Sequence, residues 1–253
     1  MQSSRSAVAL LTLALVLASL PWRADAAQAG DSAVVAAVKR ALSNNSDLRR
    51  LTVTAADGDI TLSGRVPTLW LKQDAIKRTL KVQGVKNVLS EMELPRLESD
   101  QNLAFYIGQA VDAYRYQTIF DYLDAVILKG VVTLKGAVTG ERNKADEIAE
   151  QVSRVRGVQD IKNEIVTLPP SQGDDQIRAS LYSRLESSIH FQDIITVKNP
   201  PFRLTVQNGV ITLNGWVQGE VEYRELEQIA RFTPGVLRVT NSLRMRTPPK
   251  SSK

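Results

Sequence analysis

Apolar and polar residues alternate along GVVTLKG at 130–136, and the same alternation returns in GDITLSG at 58–64 and GVITLNG at 209–215. A period of two is that of a β-strand with one buried face. Ile60 and Leu62, Val132 and Leu134, and Ile211 and Leu213 are therefore expected to face a core, with Thr61, Thr133 and Thr212 on the opposite side. Each phrase follows a short alternating run and a turn. Asp57-Gly58 and Asn208-Gly209 suit a two-residue hairpin turn, whose positions both need positive φ, and Lys129-Gly130 is a weaker version of the same signal. The phrase is thus the second strand of a hairpin. The glycines that close it, Gly64, Gly136 and Gly215, mark a bulge or a close pass of another backbone.

After each hairpin the period changes to that of a helix. In ERNKADEIAEQVSRVRG, Ala145, Ile148, Ala149, Val152 and Val155 recur on one face while Glu147, Glu150 and Arg154 occupy others. Gly84, Gly157 and Gly235 stand where a left-handed helix C-cap is expected, and Val85, Val158 and Val236 after them open a last strand. Another amphipathic helix precedes each hairpin, in SAVVAAVKRALSNN, NLAFYIGQAVDAYRY and DQIRASLYSRLESS. The expected fold class is α+β: tandem small two-layer α/β sandwiches, each helix-hairpin-helix-strand (αββαβ). Proline and charge interrupt the pattern at LPRLESD and LPPSQGDD, placing the units at 31–96, 100–168 and 174–247 with a flexible tail at 248–253. The first glycines of the phrases stand 72 and then 79 residues apart. That exceeds the roughly 20 to 50 residues of a solenoid repeat, so each unit is domain-sized.

The first 26 residues follow another logic. Arg5 in a polar start, an apolar run from Ala7 to Leu20, Pro21, and Ala24 and Ala26 in A-x-A spacing read as a secretory signal peptide over 1–26. The alternative is an uncleaved anchor, but the apolar run is shorter than the ~20 residues that span a bilayer. The expected location is the periplasm, or beyond the cell. With no cysteine in the chain there is no disulfide framework, thiolate nucleophile or lipid-modified cysteine.

The net charge of +5 is unevenly spread. Residues 31–96 carry 11 basic and 7 acidic side chains, 97–170 carry 8 and 11, and 171–253 carry 11 and 8. The outer units can therefore present basic faces to anionic partners, and the acidic middle unit can dock against them.

Little in the sequence looks catalytic. His190 is the single histidine, and the sequence names no convergent partner for it. Asp57 and Asp59 flank the first hairpin glycine but are replaced by Lys129 and Val131, then Asn208 and Val210, in the other copies. No phosphate-binding loop, metal cluster or cofactor motif is present. Nucleic acid is a poor partner for a secreted chain with an acidic centre.

Two surfaces are candidates for binding. Trp70 and Leu71 begin a helix carrying Lys72, Lys77, Arg78 and Lys81, an indole beside cations that suits the boundary of an anionic membrane. The plainer alternative is a solvated basic helix with Trp70 tucked against the sheet. Phe105, Tyr106, Tyr114, Tyr116, Phe120 and Tyr122 fall within 18 residues and are six of the chain's eleven Phe and Tyr, more than one small core hides. Interdomain packing is the favoured role, with a lipid-facing patch or peptide groove as alternatives.

The element order, with G-x-[IV]-x-L-x-G and a Gly-Val pair 26 or 27 residues after its first glycine, resembles the BON domain, a bacterial module named for osmotically inducible and nodulation proteins. Three copies cover nearly all of the chain after the signal. GERNKADEIAEQVSRVRGVQDIKNEI in the second copy is the closest to the family, the third carries an inserted KNPPF, and in the first VPTLWLKQDAIKR replaces the acidic helix start. The resemblance implies a non-enzymatic envelope protein linked to envelope integrity and osmotic stress, whose module contacts phospholipid. The expected partner is an anionic phospholipid surface, bound peripherally. The alternative is a periplasmic protein-interaction module or holdase-type chaperone that contacts envelope proteins.

Overall fold

The computed structural model describes residues 22–96 and 99–246. Most of the expected signal peptide, residues 1–21, lies outside them, and residues 22–26 run on into the first helix. The tail at 248–253 also lies outside.

Three units share one plan. The first is α1 (Trp22–Leu42), a short 3-10 turn (Leu48–Arg50), β1 (Thr52–Ala56), β2 (Asp59–Arg65), α2 (Leu69–Leu80) and β3 (Asn87–Glu93). The second is α3 (Asp100–Asp112), β4 (Tyr122–Leu128), β5 (Val131–Thr139), α4 (Lys144–Ser153) and β6 (Asp160–Leu168). The third is α5 (Gln172–Glu186), β7 (Phe202–Gln207), β8 (Val210–Val217), α6 (Glu220–Arg231) and β9 (Arg238–Met245).

Each unit has its own three-stranded sheet in chain order, with the repeated phrase as the central strand. The first two strands pair antiparallel and the last joins the centre in parallel, so the second helix of each unit is a crossover. Ile60, Leu62, Val132, Leu134, Ile211 and Leu213 are all buried, with the threonines between them on the other face. Each such side chain contributes about 1.5–3 kcal/mol by leaving water.

The hairpin turns have the predicted handedness. Asp57, Lys129 and Asn208 have φ of 52°, 53° and 51°, each followed by a positive-φ glycine. The closing glycines differ among themselves. A Cβ on Gly136 would collide with the Tyr122 carbonyl and one on Gly215 with that of Pro201, whereas at Gly64 the nearest atom is the Leu51 side chain at 3.1 Å.

Gly84, Gly157 and Gly235 also have positive φ, but they do not cap the helices. The C-caps are Lys81, Arg154 and Phe232, three residues earlier. The glycines instead take the third position of β-turns closed by Val85 N to Val82 O, Val158 N to Val155 O and Val236 N to Thr233 O, a position that calls for positive φ in a type II turn.

One recurrent feature carried no sequence motif. The carboxylate of Asp31 accepts hydrogen bonds from the turn amides of Asp57 and Gly58 at 3.0 and 3.2 Å. Asp100 does the same for Lys129 and Gly130 at 2.7 and 2.9 Å, and Asp174 for Asn208 and Gly209 at 2.8 and 2.9 Å. The first helix of every unit is thereby fastened to its hairpin tip. From the other side, the turn glycine carbonyls of Gly58, Gly130 and Gly209 accept from Lys86, Gln159 and Leu237, which lead into the last strands.

Candidate functional site: helix faces and junctions

The first junction is made by helices. Thr68 caps α2 by accepting from Leu71 N, which turns Leu69 and Trp70 toward the second unit. Leu69 is buried within that unit's core. Trp70 is half-buried, with the Arg154 guanidinium 3.8 Å from its ring centroid and its indole N–H donated to Glu150 Oε1 at 3.1 Å. Arg154 bonds the same oxygen at 2.7 Å, and these two hydrogen bonds, led by Arg154, hold the Glu150 carboxyl below its usual range. Gln159 donates to the Pro95 carbonyl at 2.7 Å, tying down the connecting segment.

The other members of the basic helix are dispersed. Leu71 is buried in the first core, Lys72 donates to the Met92 carbonyl at 3.0 Å, and Arg78 pairs with Asp74 at 2.8 Å. Lys77 and Lys81 are exposed. Trp70 is therefore gathered into the junction with the second unit, while two of the lysines remain on the surface.

The six aromatic residues also separate. α3 ends at Asp112, so Phe105 and Tyr106 lie on the helix while Tyr114 and Tyr116 follow it and Tyr122 begins β4. Tyr114 is buried and donates to Glu147 Oε2 at 2.5 Å; burial, then Glu147, pushes its phenol well above the usual range. Arg142 pairs with Glu147 at 2.7 Å and lies 3.6 Å from the Tyr116 centroid. Phe120 packs against the core of the third unit. Phe105 and Tyr106 stand free, 62% and 49% exposed, their rings edge to face at 5.6 Å. Tyr106 shares a shallow depression with Val155 and Arg156.

The second junction rests on backbone. Leu204 on β7 donates its amide to the Ile119 carbonyl at 2.9 Å, and Ile119 is buried in the third core. The segment that carries Ile119 is anchored by Asp121, which is fully buried and accepts from Thr118 and Thr139. Lys144 Nζ lies 2.9 Å from Asp121 Oδ2 and 2.9 Å from Glu141 Oε1. Partial burial raises the Glu141 pKa, but hydrogen bonds from Lys144 and Thr139 outweigh it and bring the carboxyl down to about 2. The residues before the first strand in the other units are Leu51 and Pro201, so this ionic anchor belongs to the second unit alone.

The structure gives His190 a partner that the sequence did not. Its Nδ1 lies 2.5 Å from Glu225 Oε2, and Ser188 donates to Glu225 Oε1 at 2.7 Å. The serine is bonded to the carboxylate and not to the imidazole, so the trio is not arranged as a nucleophile activated by a base. Among the described residues no cluster of three or more His, Asp or Glu is placed to hold a metal ion. Nor is any described helix long and apolar enough to cross a membrane.

Three matches to one sequence profile decide the family. The BON domain profile matches residues 30–96, 99–169 and 173–247. The chain belongs to the BON domain family. It is a BON-domain protein with three tandem copies, each an αββαβ unit. No curated protein sequence matches it. Among solved structures it is similar to CdsD, a structural protein of the type III secretion system of Chlamydia trachomatis, at 13% identity over 86% of this chain and 94% of that one, with a TM-score of 0.25. It is also similar to the periplasmic domain of PrgH, a type III secretion inner membrane protein of S. typhimurium, at 14% identity over 78% of this chain and 100% of that fragment, with a TM-score of 0.20. Scores this low do not describe a shared arrangement of units and carry no functional argument.

Proposed function

We propose that this BON-domain protein is a non-enzymatic periplasmic component that supports envelope integrity or osmotic-stress tolerance by binding anionic phospholipid peripherally. The observation that carries this reading is the adjacent, exposed pair Phe105 and Tyr106, the second of which lies beside Arg156. Aromatic rings with one wet edge favour the headgroup layer, and basic side chains near an anionic surface add roughly 1 kcal/mol each. Lys77 and Lys81 supply further exposed positive charge on α2. The apolar contact thus passes from Trp70, engaged by Arg154 and Glu150, to the free pair on α3.

Co-sedimentation of the protein with neutral and with anionic vesicles, at low and high salt, tests this. Binding should be confined to anionic vesicles, weaken as salt screens exposed charge, and drop at least about tenfold in a Phe105→Ala, Tyr106→Ala variant. Binding that ignores both salt and the variant would remove the reading. The same exposed pair also suits the alternative, a protein-interaction module or holdase. That reading gains if vesicles are not bound while aggregation of an unfolded client is suppressed by the parent and not by the variant.

A further inference from the structure

The junction of the second and third units leaves a half-open cavity of about 350 Å³ between α3 and β4, bordered by Asn199–Pro201. Its floor is apolar and reaches Ile107, Leu134 and Ile148, which belong to the core of the second unit. Sites of this size at domain boundaries, apolar with a few converging polar groups, are the usual form of small-ligand pockets.

Two features mark it as more than a packing gap. Gly108 sits in the interior of α3 on the cavity wall, and a Cβ there would meet nothing within 4 Å. No close approach and no positive φ calls for glycine in this helix, where glycine is unfavourable. Its effect is to leave the wall open. The second feature is Arg203, which lines the cavity and is only 8% exposed. Its hydrogen bonds go to neutral oxygens: Nη1 to Pro200 O at 2.8 Å and to Phe202 O at 3.4 Å, and Nη2 to Asn199 Oδ1 at 2.6 Å. Among the described residues no carboxylate comes within ion-pair distance of it, and Asp112 and Asp121 act on it only from farther away. A buried guanidinium with no carboxylate in direct contact is costly, since arginine keeps its proton.

We infer that this cavity binds a single-chain amphiphile carrying one carboxylate, with the apolar chain lying between α3 and β4 and the carboxylate on Arg203. A monoanion is selected over a dianion because Asp112 and Asp124 also line the cavity and repel additional negative charge. A cationic head finds the buried guanidinium in its place. The site is independent of the aromatic pair on the outer face of α3, so vesicle binding and ligand binding can fail separately.

Isothermal titration of the full chain with dodecanoate, below its micelle concentration, is the test. The expected result is saturable one-to-one binding, weakened about tenfold for dodecyl phosphate and absent for dodecylamine. Gly108→Phe places a ring in the open space and should abolish binding while leaving the circular dichroism and Tm of the parent. Arg203→Met should weaken binding about tenfold. If that variant fails to fold, the glycine variant decides. The inference is overturned if the parent binds nothing, if dodecylamine binds as well as dodecanoate, or if folded Gly108→Phe binds undiminished.

Discussion

The two junctions join the same kind of module in different ways. Between the first and second units, side chains on α2 meet side chains on α4, and the cleft they leave holds Asp74, Lys77, Asp146 and Glu150. Between the second and third, a main-chain hydrogen bond and a buried isoleucine carry the connection, and the cleft beside it has an apolar floor with Asp112, Asp124 and Arg203 in its walls. Tandem copies of one fold therefore need not form a regular solenoid. Each junction is set by residues that are not shared among the copies, Trp70 in one case and Ile119 with Asp121 in the other.

The largest effect expected on this contrast comes from Lys144→Met. It strands the buried Asp121 carboxylate and should cost about 3–5 kcal/mol, whereas the double variant with Asp121→Leu should recover only part of that loss, because the Thr118 and Thr139 amides lose their acceptor. Since Asp121 holds the segment that enters the third core, hydrogen exchange at the Leu204 amide should accelerate as well. Urea unfolding of both variants checks the first point. A single variant as stable as the parent would deny the anchor its role.

Trp70→Ala should act on the other junction and more weakly, by about 1 kcal/mol, because the cation–π contact and the indole hydrogen bond it removes are both partly exposed. A double-mutant cycle with Arg154→Ala measures the coupling. Exchange at Leu204 should not change, and a change there would show that the junctions are not independent.

The smallest effect is that of pH on Glu141. Its carboxyl is held near 2 against an ordinary 4.5, so its contribution is complete above about 4.5 and is lost as pH falls through about 2. Its side chain is 59% exposed, so solvent screening keeps the contribution small. Melting temperature should fall more steeply over this window in the parent than in Glu141→Gln. Parallel curves would count against the linkage.

What could be read from the sequence follows from range. Alternation and turn chemistry are local, and the hairpins, their buried Ile, Val and Leu, and the positive-φ dipeptides are all found where expected. The Gly-Val pairs read as helix C-caps, whereas their glycines take the third position of β-turns three residues beyond the caps, because positive φ at either place leaves the same trace. Asp31, Asp100 and Asp174 escaped notice because their partners lie 26 to 35 residues away, and because Asp100 and Asp174 stand in the first turn of their helices while Asp31 stands in the middle of α1. The six aromatics were grouped by nearness along the chain, yet a helix that stops at Asp112 sends them to four surroundings: a free face, the α4 start, β4 and the third core. Lys144 and Asp121 could not be paired from sequence, since a buried lysine reads as an ordinary charge on an amphipathic helix.

The fastening of the hairpin tip bears on how such a protein grows. In every copy the tip binds the carboxylate of the opening helix on one side and the amide leading into the closing strand on the other. A gene segment that omitted either end would deliver a hairpin with unmet partners. The smallest heritable piece is therefore the whole αββαβ unit, while the residues that join the units, such as Trp70 and Ile119, are not bonded to the tip and remain open to divergence.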